Sequence, residues 1–124
     1  MLFRSARVWA EGTKNLDAYL RFLRGREYLI QGSRESVALS RRMAEEAIAL
    51  DPKYANAYAL LGSTHMNDVF LGTSRPKESI AKAIELSQKA LAMDGSLAGA
   101  RSRLGVLYSW SGRYDEGKIG RAHV

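Results

Sequence analysis

Cysteine is absent from this chain of 124 residues, which excludes disulfides, thiolate metal sites and a cysteine nucleophile. Histidine occurs only as His65 and His123, so a metal site would rest on carboxylates, and no loop gathers acidic residues at ligand spacing. Proline is limited to Pro52 and Pro76, leaving long stretches free to be helical. No apolar run approaches the roughly 18 residues of a membrane span. Met1 to Ala10 mixes arginine with apolar residues and lacks the continuous hydrophobic region of a signal peptide. No G-x4-G-K-S/T run is present to cradle phosphate. A Ser-His-Asp arrangement would have to recruit His65 with Ser63 or Asp68, but a residue two positions away lies on another helical face. The expectation is a non-catalytic, cytoplasmic chain with no cofactor, no metal and no membrane segment.

The net charge is +6, and the ends supply part of it. Ile119 to Val124, IGRAHV, is what ATC GGA AGA GCA CAC GTC encodes, a frame of a short-read sequencing adapter. Leu2 to Ser5, LFRS, can be read from CTC TTC CGA TCT, the adapter of the opposite end. Residues 1–5 and 118–124 are therefore expected to be non-native, and the rest a fragment of a longer gene. Arg4, Lys118 and Arg121 lie in those ends with no acidic residue among them, which lowers the charge to +3. Arg34, Arg41 and Arg42 stand near Glu35, Glu45 and Glu46, and Lys77, Lys82 and Lys89 near Glu78 and Glu85, the pattern of solvated helix faces. A nucleic-acid surface is not expected.

What is present is helical periodicity. In Ala47 to Gly62, AIALDPKYANAYALLG, a helix ends at Asp51-Pro52, because proline disfavours helical geometry in the residue before it. A second helix starts at once, with Ala55, Tyr58, Leu61 and Gly62 forming one stripe. A connection of about four residues makes the two helices antiparallel neighbours.

Upstream, Thr13 or Asn15 caps a helix carrying Leu16, Tyr19, Leu20, Leu23 and Tyr28. Gly32 ends it, Ser33 caps the next, and Val37, Ser40, Ala44, Ala47 and Ile48 form the partner face. Downstream, Ala83, Leu86, Ala90 and Leu91 share a face, Gly72, Thr73 and Ser74 mark a turn, and Pro76 suits a first helical turn. Val69, Phe70 and Leu71 either form a partner-binding tip or pack under the loop.

Pro52, Tyr58, Leu61-Gly62 and His65 together resemble the junction of two tetratricopeptide repeats, with its W-x2-L-G-x2-Y first helix and proline at the join. Gly25 with Tyr28, and Leu104-Gly105 with Tyr108, repeat the motif, and close helix packing explains Gly25, Gly62 and Gly105. Ser111-Gly112-Arg113-Tyr114-Asp115-Glu116-Gly117 resembles the turn into a second helix. The Gly62 to Gly105 interval exceeds the family's period of about 34 residues; the excess falls in Asn67 to Ser79, where helix, longer loop, helix is expected. His65 takes a packing position, partly buried and hydrogen-bonded.

The resemblance implies an all-α fold, a right-handed superhelix of antiparallel helical hairpins with about two and a half repeats. Residues 6–14 are then a linker and 15–117 the repeat domain. It implies a protein or peptide partner in a concave groove at Tyr19, Phe22, Arg26 and Leu29, then Asn56, Ala59, Ser63, Met66 and Asn67, then Ser102, Val106, Ser109 and Trp110. An equal alternative is that some of these pack against an adjacent repeat. Phe22 and Ala59 replace the lysine, and Arg26 and Ser63 the asparagine, of the family's clamp for a C-terminal carboxylate. An apolar groove for an amphipathic or extended peptide is the expectation instead. A half-present third hairpin implies an exposed patch at Leu104, Leu107 and Tyr108 that favours self-association. Trp9 to Gly117 also resembles the repeat regions that follow bacterial class III adenylate or guanylate cyclase domains, or winged-helix domains of transcription regulators. Such a parent would be a signalling protein.

Overall fold

The computed structural model describes residues 12–115, with side chains through residue 113. The expected non-native ends, most of the expected linker, and Glu116 and Gly117 lie outside the described residues. Among the described residues five helices form: α1 Leu16–Gln31, α2 Arg34–Leu50, α3 Ala55–Leu71, α4 Pro76–Met93 and α5 Ala98–Asp115. No strand occurs among the described residues, so the fold is all-α.

Local chemistry fixes the ends. Asn15 Oδ1 accepts from the Ala18 amide at 2.9 Å, satisfying a free N–H of the first turn of α1. Thr13 Oγ1 accepts from the Asn15 amide at 3.0 Å and donates to Asp51 Oδ2 at 2.5 Å, tying this cap to the far end of α2. Gly32 closes α1 at a φ of 73°, a left-handed conformation that costs a glycine little. Ser33 and Ser36 then cap α2 reciprocally. Asp51-Pro52 ends α2, Gly72 ends α3 at a φ of 67°, and Pro76 opens α4.

Connections this short make successive helices antiparallel neighbours. Each helix packs on the next, and α1 also touches α3. The main core joins Ala18 and Phe22 of α1, Ala44 and Ala47 of α2, Tyr54, Tyr58, Leu60 and Leu61 around α3, and Leu86 and Ala90 of α4. A second cluster holds Ile80, Ala83 and Leu107, with Met66, Val69, Ile84 and Trp110 against it. Small residues bring the backbones close. A Cβ on Gly25 would meet Leu60 Cδ2 at 2.8 Å and Met43 Cβ at 3.1 Å, and one on Gly62 would meet Ser87 Oγ at 3.2 Å. Both glycines therefore sit where a neighbouring helix is nearest.

Four expectations are corrected. No longer loop occupies Asn67 to Ser79: α3 continues to Leu71 and residues 72–75 complete the connection. Extending a formed helix adds a hydrogen bond per residue, and Asp68 and Val69 are held by neighbours. No turn forms at Ser111-Gly112, because α5 runs on to Asp115; one helical glycine costs about 1 kcal/mol, too little to break it. Gly105 has no neighbour within 4 Å where a Cβ would stand, so close packing does not explain it. Leu104 and Leu107 are buried against the bundle, and only Tyr108 of the expected patch is exposed. Its hydroxyl accepts from Gln88 Nε2 at 2.7 Å. The helical period turns both leucines inward together, which removes the patch.

Candidate functional site

Three helices that are not sequence neighbours share one cavity. Phe22, Arg26 and Leu29 recur along one face of α1, and Asn56, Ala59 and Ser63 along one face of α3. Opposite them stand Ser96 and Leu97, just before α5, and Ala98, Gly99, Ala100 and Arg103 on it; with Leu60 they enclose about 410 Å³.

Phe22 forms part of the apolar floor, buried and tilted against Tyr54 at 5.5 Å between ring centroids. The Arg26 guanidinium lies over the Phe22 ring, 5.6 Å from its centroid, a cation–π contact that leaves its N–H groups free to meet a ligand. On the other wall Arg103 Nη1 donates to the Ala59 carbonyl at 3.3 Å. Burial pushes the Arg103 pKa down from its ordinary value, since a low-dielectric setting disfavours the charged form. Ser63 Oγ donates to the same Ala59 carbonyl at 3.2 Å, and Asn67 Nδ2 to the Ser63 carbonyl at 2.9 Å. Among the described residues no aspartate or glutamate lines the cavity.

Six of the thirteen expected groove residues therefore meet in one place: Phe22, Arg26, Leu29, Asn56, Ala59 and Ser63. Tyr19 and Asn67 are half-buried outside it. Met66 and Trp110 belong to the cluster around Leu107, with Trp110 edge-on to Phe70 at 5.1 Å and 84°. Ser102, Val106 and Ser109 are exposed on α5 and do not line the cavity. The helix instead turns Ala100 and Arg103 toward it, one residue round from Ser102. Leu97 and Arg103 were missed. Arg103 has no local signature, since Arg101, two residues earlier, reads the same in sequence but is exposed and bonded to the Gly95 carbonyl.

Phe70 of the expected tip is exposed, while Val69 packs inward. His65 is partly buried as expected, but its ring makes no hydrogen bond among the described residues. Burial, with the charge of Arg41, lowers its pKa to about 4. Arg41 does not belong to a solvated face; it pairs with Asp68 at 2.6 Å. The i,i+4 pair Arg42–Glu46 is present at 4.0 Å. A larger hollow of about 660 Å³ lies between residues 12–15 and Leu50, Asp51 and Lys53.

Among the described residues no group of three or more histidine, aspartate or glutamate side chains could hold a metal ion. No described helix is long and apolar enough to cross a membrane. Compared with protein-family models, curated proteins and solved structures, the chain matches none.

Proposed function

We propose that this chain is a non-catalytic protein-interaction module of tetratricopeptide type, a right-handed superhelix of about two and a half helical hairpins that holds a peptide across its first helices. Two like hairpins support the fold reading. In each, a Cβ on the first-helix glycine would crowd the next helix, at 3.1 Å from Met43 for Gly25 and 3.2 Å from Ser87 for Gly62, and α1 touches α3 as stacked repeats require. The binding reading rests on one observation: the faces of α1, α3 and α5 meet in a single open cavity with an apolar floor. Its size suits a few side chains of an extended or amphipathic peptide. The resemblance to repeat regions of bacterial signalling proteins favours a cytoplasmic role as the interaction region of a longer chain.

Selection from a displayed library of random peptides tests this. Ala59→Trp fills the cavity from its α3 wall, so peptides selected on the natural chain should bind this variant about 100-fold more weakly, a loss of about 2.7 kcal/mol, with the melting temperature preserved. Unchanged binding would overturn the proposal.

A further inference from the structure

The charge in the groove has no counterpart. Arg26 of α1 and Arg103 of α5 line the same cavity, and among the described residues no acidic side chain lines it with them. Neither arginine forms an ion pair among the described residues, whereas Arg21, Arg41, Arg42 and Arg75 all do. Arg103 is the more constrained of the two. It is half-buried, and its guanidinium, with five N–H donors, spends one on a neutral carbonyl at 3.3 Å. A cation withdrawn from water without an anion is costly, and a ligand carboxylate offsets that cost through charge-assisted hydrogen bonds. Arg26 is held over the Phe22 ring, which limits the rotamer freedom it would lose on binding.

Resting on the peptide-groove reading above, we infer that the groove selects an acidic peptide: a glutamate or aspartate side chain of an extended partner pairs with Arg26 and Arg103 while flanking apolar side chains lie on Phe22, Leu29 and Leu97. Alternation of side chains along an extended strand presents the two kinds of group to the two kinds of wall. The anion is a side chain within the partner, so a free C-terminus is not required. The apolar floor favours peptide over nucleic acid, whose backbone would need a longer basic track.

Calorimetric titration at low salt with two peptides, both capped at each end, decides it. One alternates leucine with glutamate and the other leucine with glutamine. The glutamate peptide should bind about tenfold more tightly. Arg103→Gln should erase most of that difference, and so should Arg26→Gln, whose exposed site leaves the fold intact. Equal affinities would overturn the acidic selectivity and leave the peptide groove standing. Binding of neither peptide would overturn both, and tighter binding of a single-stranded oligonucleotide than of the glutamate peptide would overturn the choice of partner.

Discussion

Arg41 Nη2 donates to Asp68 Oδ2 at 2.6 Å, joining α2 to the last turns of α3. Arg41 Nε also donates to Thr64 Oγ1 at 3.0 Å, and Thr73 Oγ1 to Asp68 Oδ1 at 3.0 Å. The two ionic side chains are 26% and 11% exposed, so removing one partner strands a largely desolvated charge. Asp68→Ala should therefore cost about 2 kcal/mol, below the 3–5 kcal/mol of fully buried pairs. Arg41→Met combined with Asp68→Leu should recover most of it. Urea unfolding measures both, and a loss under about 0.5 kcal/mol for Asp68→Ala, the scale of an exposed pair, would show that the contact is not a latch.

Gly25 and Gly105 hold matching motif positions in the sequence and should respond with opposite signs. Gly25→Ala pushes a methyl group into Leu60 and Met43 and should destabilise by about 1–3 kcal/mol. Gly105→Ala enters open space and should stabilise by about 0.5–1 kcal/mol, because alanine loses less chain entropy in a helix. Thermal unfolding of the two variants checks the contrast.

Buried hydroxyls without partners offer a route to higher stability. Ser40 Oγ and Ser87 Oγ are fully buried and make no hydrogen bond among the described residues. Replacing a desolvated, unpaired hydroxyl with a methyl group removes a penalty, so Ser87→Ala should stabilise by about 1 kcal/mol. A loss of that size instead would mean that an internal water satisfies the hydroxyl.

His65 gives a pH dependence of defined sign. Burial lowers its pKa from 6.5 to about 4 in the folded chain, so between those values the unfolded chain binds more protons. Stability is then complete above about pH 6.5 and falls as the pH drops toward 4. The ring is only partly buried, so solvent screening reduces the effect to about 1–2 kcal/mol. Unfolding at pH 7 and pH 5 should show the loss, and His65→Gln should flatten it.

The turns were legible because their chemistry is local. Asp51-Pro52, Gly32-Ser33 and Pro76 each set the backbone within a residue or two. Ser111-Gly112 misled because the same residue types are tolerated inside a helix that packing has already fixed. The α1 and α3 walls of the cavity were legible from helical period, which puts Phe22, Arg26 and Leu29 on one face and Asn56, Ala59 and Ser63 on another. Its α5 wall was not: an error of one residue in rotation exchanges Arg103 for Ser102. Contacts between distant positions, Arg41 with Asp68 and Arg103 with Ala59, depend on how helices are stacked, which no local pattern specifies.

The most direct test is NMR mapping of backbone amides as the capped leucine–glutamate peptide is added. Shifts concentrated at Phe22 to Leu29, Asn56 to Ser63 and Leu97 to Arg103 are the expected result. Shifts confined to the outer faces of α2 and α4, with those three stretches silent, would contradict the groove.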